Sequence, residues 1–314
     1  MKIAILDDYQ DEVRKLDCFK LLAAHDVIIL NATFTDEVEL AGYLAGIEAL
    51  VLIRERTQIT PTLLSRLPDL KVISQTGKVS NHIDPNVCAQ YGVEVLEGVG
   101  SPTAPAELTW ALIMAASRNL NNYVSEFSSG NWQQSGEAGL GRKLEGLNLG
   151  IWGYGKIGQR IARYAKTFGM NVTVWGREAS RKLAVEHGFN AAETKADFFS
   201  QSDIVTLHLR LNGATRQCVT KDDLSLMKPD SLLVNTSRAE LIEPDAVYNE
   251  MRLNPSKRAA VDVYEIEPAT PDNCKILSLP NVLCSPHIGY VEKSSYELYF
   301  STAFENLVKY ANKT

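Results

Sequence analysis

The sequence of 314 residues is poor in features that would point away from a soluble globular protein. Its five cysteines (Cys18, Cys88, Cys218, Cys274 and Cys284) are odd in number, scattered and never in C-x-x-C spacing. That pattern fits reduced thiols in a cytoplasm rather than a disulfide framework. No apolar run approaches the length of a membrane span. The opening MKIAILDDYQ offers only about five apolar residues before two aspartates, too few for a signal-peptide core. Basic charge is not in excess: 32 Lys and Arg against 38 Asp and Glu give a formal net charge of −6. A nucleic-acid-binding or membrane-binding surface is therefore not indicated. There is no internal repeat and no low-complexity segment, and no metal is expected. A cytoplasmic protein with neither nucleic acid nor membrane as partner is the expectation.

What is present is ordinary in amount and specific in order. The chain is 45% hydrophobic and 22% charged, and it is long enough for two domains with real cores. Its most informative stretch is LNLGIWGYGKIGQRIARYAKTFGMNVTVWGR, residues 147–177. An apolar run to Trp152 reads as a buried strand. It ends in Gly153-Tyr154-Gly155-Lys156-Ile157-Gly158. An amphipathic helix follows, with Ile157, Ile161, Tyr164, Ala165 and Phe168 on one face. Gly169 stops it, and a second strand runs from Asn171 to Trp175. Strand, G-x-G-x-x-G, helix and strand within one unit form the dinucleotide-binding fingerprint in its required context. Gly153 permits the tight turn. Gly155 lets a pyrophosphate approach the backbone, and Gly158 lets helix and strand pack closely. The helix N-terminus offers N–H groups and a positive dipole end to the phosphates.

The first third alternates strand and helix. Strands are expected at 2–6, 26–30, 49–53, 70–74 and 93–96, and helices at 11–22, from Asp36, after Thr60-Pro61 and after Asp84-Pro85. The last two carry an N-cap and an N1 proline. This alternation predicts a parallel sheet, flavodoxin-like in its simplest version. Ligand groups in such sheets gather at the strands' carboxyl ends. Here those ends are Asp7-Asp8-Tyr9, Arg54-Glu55-Arg56-Thr57 and Gln75-Thr76-Gly77-Lys78-Val79-Ser80. Residues 101–120 read as a helix apolar nearly all round, suited to joining two domains and lying in a dimer interface. Residues 121–145 read as an extended polar arm. Alternation then resumes, and the final helix, 292–312, belongs against the first domain. The fold class is α/β with two doubly wound parallel-sheet domains. Residues 1–100 and 290–314 form a discontinuous flavodoxin-like substrate domain, and 101–289 a Rossmann dinucleotide-binding domain.

Three late strands end in polar groups: Asn235-Thr236-Ser237-Arg238-Ala239, Asp262-Val263-Tyr264-Glu265-Ile266-Glu267-Pro268 and Ser285-Pro286-His287-Ile288-Gly289. An Arg fork can bind a carboxylate twice and polarise an adjacent carbonyl. A His can exchange the hydroxyl proton, and a Glu beside it would raise its pKa and orient it. Singly, each has a plainer explanation: a surface ion pair for Arg238, a loop carboxylate for Glu267, a capping or core histidine for His287. On three successive strands of one nucleotide domain, they make a chemically complete set.

From about Arg54 to the final helix the sequence resembles the D-isomer-specific 2-hydroxyacid dehydrogenases, which include phosphoglycerate, D-lactate and formate dehydrogenases and hydroxypyruvate reductases. The resemblance is carried by GYGKIG, SDIVTLHL, LMKPDSLLVNTSRAE, DVYEIEP and NVLCSPHIGY, in family order. It implies a reversible, cofactor-dependent reduction of a 2-keto acid to the (R)-2-hydroxy acid. It implies that Arg238 binds the substrate carboxylate and carbonyl, and that His287 is the acid/base paired with Glu267. Asp262 looks like the residue that accepts from the nicotinamide carboxamide, and His208 and Thr236 like cofactor-lining positions. The backbone of Thr76, Gly77, Lys78 and Val79 looks like the loop holding the substrate carboxylate, with Arg54 and Tyr290 also expected at the substrate. A binding protein on the same fold, resembling the nucleotide-sensing corepressors, is the rival. The absence of a long tail after the fold weighs against it, as it does against a C-terminal regulatory domain.

Departures from the family pattern bear on specificity. The usual Asp at the end of the second fingerprint strand is replaced by Gly176, followed by Arg177, with Arg181 and Lys182 one turn on. Loss of a carboxylate removes repulsion of a 2′-phosphate and Arg177 supplies attraction, so of NAD(P) the sequence leans to NADPH over NADH. Arg177 stacked on adenine in an NAD enzyme is the alternative. Lys78 stands where relatives have a small or apolar residue, to read a second anion or to pair with Glu55. Tyr290 replaces a small residue and would narrow the pocket. Ala239 for the usual Gly is mild unless that backbone needs positive φ. A homodimer is expected.

Overall fold

The computed structural model describes residues 1–313. Thr314, the last residue of the expected 290–314 segment, lies outside the described residues. The chain divides into two compact units. One comprises Met1–Ser101 and the chain from Tyr290 onward, and the other is Pro102–Gly289.

The first unit holds strands β1 (Lys2–Ile5), β2 (Asp26–Ile29), β3 (Ala49–Leu52), β4 (Val72–Gln75) and β5 (Glu94–Leu96). They pair in parallel in the order β2-β1-β3-β4-β5, the flavodoxin-like order. Helices α1 (Glu37–Tyr43), α2 (Pro61–Ser65) and α3 (Pro85–Gln90) start where the sequence puts their caps. Asp36 accepts from the Val38 N–H, Thr60 from Leu63 and Asp84 from Asn86, each cap worth about 1 kcal/mol. Strands β1, β3 and β4 are buried on both faces, Lys2 apart. One face packs on Leu40, Leu63 and Leu64, the other on Tyr299, Phe300, Ala303 and Phe304 of the C-terminal helix Lys293–Ala311.

Two expectations are corrected. Residues 11–22 do not form an α-helix but two 3-10 segments, Val13–Lys15 and Asp17–Leu22, separated by an extended Leu16. Acceptors outside the segment take its backbone donors: Asp8 takes Glu12 and Val13, and Glu297 takes Asp17 and Cys18. A helical ladder there has lost its competition to side chains.

The second unit opens with α4 (Thr103–Ser117) and α5 (Leu120–Ser128), then a 3-10 turn at Gly136–Ala138. The expected extended arm is thus half helix. Asn119, in a left-handed conformation, turns the chain between the two helices. Its amide braces the later turn by donating to the Ala138 and Gly139 carbonyls. Most of the apolar surface of α4 is satisfied within its own unit. Ala106, Leu112, Ile113 and Ala116 are buried there, and Leu108, Trp110 and Met114 pack against the same core. Burial of α4 therefore needs no second subunit. A run of exposed apolar side chains lies instead on and after α5: Leu120, Val124, Phe127 and Trp132.

The sheet of this unit has β6 (Asn148–Trp152), β7 (Asn171–Trp175), β8 (Asn190–Ala191), β9 (Ile204–Leu207), β10 (Leu232–Asn235), β11 (Arg258–Val261) and β12 (Val282–Cys284). All pairings are parallel, in the order β12-β11-β10-β9-β6-β7-β8. After β6 the chain builds outward through β7 and β8, then returns to the other side of β6 with β9. The carboxyl end of β6 is therefore the switch point, where α/β sheets open a crevice for ligands. Helix α6 (Lys156–Thr167) follows β6, and α7 (Glu178–Glu186) follows β7.

Candidate active site

The fingerprint loop sits at that switch point, and its three glycines answer to different constraints. Gly153 has φ +103°, and a Cβ there would collide with the His208 carbonyl at the end of β9. A Cβ on Gly158 would collide with the Gly153 carbonyl. Gly155 has ordinary φ −86°, and a Cβ would meet nothing within 4 Å. Neither backbone nor packing asks for glycine at 155. Gly155 also caps α6 without a side-chain hydrogen bond. An anionic group approaching that backbone fits these residues. The Tyr154 side chain is turned inward, 4% exposed, with its hydroxyl 3.1 Å from His187 Nδ1. Lys156 and Ile157 form the first turn of α6.

At the next strand end, Gly176 has φ +143°, a conformation that disfavours any side chain. Arg177 is exposed as the N-cap of α7. Arg181 is occupied elsewhere: its guanidinium lies 5.1 Å from the centre of the Trp175 ring and donates to the Ala192 carbonyl at 3.2 Å. Lys182 pairs with Glu178 at 2.6 Å.

His208, after β9, has Nε2 3.0 Å from Thr206 Oγ1. Desolvation depresses its pKa to about 3, so it is a neutral ring throughout the physiological range. After β10, Asn235 braces the turn that carries Arg238. Its amide donates to the Arg238 carbonyl at 2.9 Å, and its oxygen accepts from Ser237 N–H at 3.1 Å. Thr236 shares a 2.7 Å hydroxyl contact with Thr109 of α4. Arg238 donates to the Ser237 carbonyl at 2.6 Å. Ala239 begins a 3-10 turn and is not among the positive-φ residues, so alanine is accommodated.

The ends of β11 and β12 are bound together by carboxylates. His287 Nδ1 lies 2.6 Å from Glu267 Oε2, and Glu267 Oε1 accepts from Tyr264 N–H at 3.0 Å. Burial alone would raise the Glu267 pKa. The His287 hydrogen bond and charge, the Tyr264 N–H and the Arg238 charge more than offset it, and the carboxyl is held below its usual value. His287 is itself in the left-handed region, φ +52°. What fixes it there is Asp262, fully buried, which accepts from Ser285 Oγ at 2.6 Å, Ile288 N–H at 2.9 Å and Gly289 N–H at 2.9 Å. Both Asp262 oxygens are thus engaged by the loop that presents His287. The sequence reading missed this bracing work of Asp262, Asn235 and Ser285; an Asp closing a strand opposite Ser-Pro-His is its only trace.

The first unit gathers its own polar group at the ends of β1, β3 and β4. Arg54 has φ +57°, and its N–H donates to Thr76 Oγ1 at 3.1 Å. Thr76 in turn donates to the Leu52 carbonyl at 2.9 Å. A Cβ on Gly77 would collide with the Arg54 guanidinium. Lys78 pairs with Glu97 at 2.8 Å rather than with Glu55, because Glu97 lies across the loop and also accepts from Val79 N–H at 2.9 Å. Gly98, unmarked in the sequence reading, backs this loop, since a Cβ would run into the Gln75 carbonyl. Tyr290 is 5% exposed and belongs to the core cluster of Tyr296, Tyr299 and Phe300, so it is a core side chain rather than one that narrows a pocket.

A Rossmann sheet that presents an arginine and a carboxylate-braced histidine on its strand ends has the parts of a dinucleotide-dependent oxidoreductase. Comparison with known proteins makes the class specific. Residues 110–289, more than half of the chain, match the model of the D-isomer specific 2-hydroxyacid dehydrogenase NAD-binding domain. A hydroxypyruvate reductase of Thermotoga maritima is 30% identical over 86% of this chain and 87% of its own. A D-3-phosphoglycerate dehydrogenase of Methanocaldococcus jannaschii is 30% identical over 92% of this chain, which spans only 53% of that protein. The crystal structure of a phosphoglycerate oxidoreductase from Vibrio cholerae O395 superposes with TM-score 0.99 at 62% identity, covering 100% of both chains. The chain belongs to the D-isomer specific 2-hydroxyacid dehydrogenase family.

Proposed function

We propose that the protein interconverts a 2-keto acid and its (R)-2-hydroxy acid using NAD(P). The observation that carries this is the 2.6 Å contact of His287 Nδ1 with Glu267, which ties the acid/base candidate to a carboxylate held ionised. Gly153–Gly158 and the α6 N-terminus would hold the cofactor's pyrophosphate, with His208 and Thr236 lining the site further along the sheet and Asp262 bracing the loop that presents His287. When bound, the nicotinamide supplies or accepts the hydride. Arg238 binds the substrate carboxylate and polarises the carbonyl. With Nδ1–H donated to Glu267, Nε2 is the ring nitrogen that gives a proton to the carbonyl oxygen in reduction and takes it back in oxidation. Neutral His208 adds no competing charge. The backbone of Thr76–Val79 seats the substrate carboxylate, with Arg54 beside it.

Gly176 and Arg177 support a lean to NADPH: no carboxylate stands at this position, and Arg177 is an exposed cation at the head of α7. A homodimer through the apolar side chains of α5 and Trp132 is part of the same reading, and sedimentation as a monomer at micromolar concentration would contradict it. The relatives named above carry enzyme names, and none favours a nucleotide-sensing role. The test is turnover of a panel of 2-keto acids with NADH and NADPH, in the parent, Arg238→Ala and Arg177→Ala. Loss of about 10²–10³-fold in kcat/KM is expected for Arg238→Ala, and loss of the NADPH preference for Arg177→Ala. Near-normal kcat/KM in Arg238→Ala sinks the assignment, and an NADH preference in the parent sinks the cofactor reading.

A further inference from the structure

The ends of β7 and β9 both stand next to the fingerprint loop. Both strands pair with β6, and Trp175, Trp152 and Leu207 are level across the three. The backbones stay close beyond that level. Gly153 N–H donates to the Trp175 carbonyl at 3.2 Å, and His208 N–H to the Trp152 carbonyl at 2.8 Å. A Cβ on Gly153 would meet the Leu209 side chain at 3.1 Å, and one on Gly176 would lie 4.0 Å from the Gly153 nitrogen. Arg177 comes two residues past the level on β7, and Arg210 three residues past it on β9. With strands about 4.8 Å apart, these two ends flank the fingerprint loop at a separation of about 10 Å.

Arg210 is set in place by its neighbours. Leu209 and Leu211 pack against the core that also holds Trp175, and Arg210 between them is exposed. Its carbonyl accepts from Thr215 Oγ1 at 2.6 Å, and that oxygen in turn accepts from Asn212 N–H at 2.9 Å. The main chain under the arginine is therefore fixed, while its charge is left unused by the protein. Residues 204–218 contain no acidic side chain. Neither Arg210 nor Arg177 has a carboxylate partner among the described residues. Arg181, Lys182 and Lys195 differ in this respect. Trp175 and the Ala192 carbonyl take the first and Glu178 the second. Asp223 at 2.6 Å and the Cys218 carbonyl at 2.8 Å take the third.

We propose that Arg210 is a second cofactor-specificity residue: with Arg177 it closes on the 2′-phosphate of NADPH, from the opposite side of the fingerprint loop. This rests on the reading of Gly176 and Arg177 given above. A pyrophosphate on the loop between β6 and α6 places the adenosine ribose toward the end of β7. A phosphate monoester there carries between one and two negative charges at neutral pH, about −1.5 to −2. One guanidinium leaves part of that charge unmatched, and a second guanidinium with no competing carboxylate takes it up. The 2′-hydroxyl of NADH offers no charge, so the contribution of Arg210 is confined to the phosphorylated cofactor.

The experiment measures Kd at fixed ionic strength for two ligand pairs, NADPH with NADH and adenosine 2′,5′-bisphosphate with adenosine 5′-monophosphate. The members of each pair differ only in the 2′-phosphate, and none of the four measurements needs turnover. The parent is compared with Arg210→Ala, Arg210→Lys, Arg177→Ala and Arg252→Ala, the last removing one exposed cation from the helix Ala246–Leu253. Arg210→Ala is expected to weaken NADPH and the bisphosphate by about tenfold or more, and NADH and the monophosphate by less than about twofold. Arg210→Lys keeps the charge and should keep most of the affinity, and Arg252→Ala should change nothing. Equal loss for both members of each pair in Arg210→Ala would make Arg210 a platform for adenine and overturn the proposal. An equal loss of NADPH affinity in Arg252→Ala would overturn it too, since net charge would then explain the effect. A parent that prefers NADPH, loses the preference in Arg177→Ala and keeps it in Arg210→Ala overturns this proposal alone and leaves the reading of Arg177 standing. A parent that prefers NADH overturns both.

Discussion

Substituting alanine at Gly155 and at Gly158 should separate the cofactor's demands from the protein's own. At Gly158 the added methyl would run into the Gly153 carbonyl, so β6 and α6 must move apart. Overpacking of this kind costs about 3 kcal/mol, and the better helix propensity of alanine returns about 1 kcal/mol. A net loss of about 2 kcal/mol lowers Tm by about 4–8 °C for a domain of this size. At Gly155 the methyl meets nothing within 4 Å and φ is already −86°. There the loss is at most about 1 kcal/mol, for a poorer N-cap. Nucleotide affinity should show the reverse order. The Gly155→Ala methyl stands in the space where the pyrophosphate would meet the α6 N-terminus, and NADH or NADPH binding should weaken tenfold or more, about 1.4 kcal/mol. Calorimetric titration and thermal melts of the ligand-free variants give both quantities. Equal nucleotide affinity in Gly155→Ala and the parent would refute the placement of the phosphates at this loop.

Three further outcomes follow from the polar network. Asp262→Asn sets an amide NH₂ against the Ile288 or Gly289 N–H, so the loop should lose its hold on His287 at φ +52°; kcat/KM should fall about 10–100-fold, with faster amide exchange at 288 and 289. The Glu267 pKa is depressed in the fold, so its stabilisation is complete above its ordinary value of 4.5 and is lost as pH falls through the lower folded value. The stability difference between the parent and Glu267→Gln in urea titrations should therefore be flat at neutral pH and shrink only in acid. His208 titrates near 3 in the fold against an ordinary 6.5, so it stabilises fully above 6.5 and loses that contribution progressively toward pH 3. A parent whose pH–stability curve matches that of His208→Gln across that window would contradict the neutral ring.

The elements that could be read from the sequence are those with local causes. The caps Asp36, Thr60 and Asp84 each act within three residues, so their helices start where the sequence reading puts them. The inner strands of both sheets are buried and largely apolar, and their alternation with helices leaves few topologies. Residues 11–22 failed because Glu297, almost the whole chain away, takes the donors a helix would use. Helix α5 failed for a related reason. Asn119 at its start makes no side-chain cap, and the turn before it depends on that side chain reaching forward to carbonyls at 138 and 139.

Arg238, Glu267 and His287 stand out in sequence because each follows a strand of one sheet, and the sheet brings strand ends together whatever the loops do. The cations expected to read specificity have no such guarantee. Arg177, Arg181 and Lys182 look alike in the sequence, yet Trp175 and the Ala192 carbonyl take Arg181, Glu178 takes Lys182, and only Arg177 stands at the head of α7. In the other unit Lys78, the obvious anion reader, is held by Glu97, while Arg54 and Arg56 rest on tyrosines contributed from residues 9, 290 and 299. What distinguishes a spent cation from an available one is its partner. Those partners come from parts of the chain that local spacing does not mark, Glu97 for Lys78 and Ala192 for Arg181.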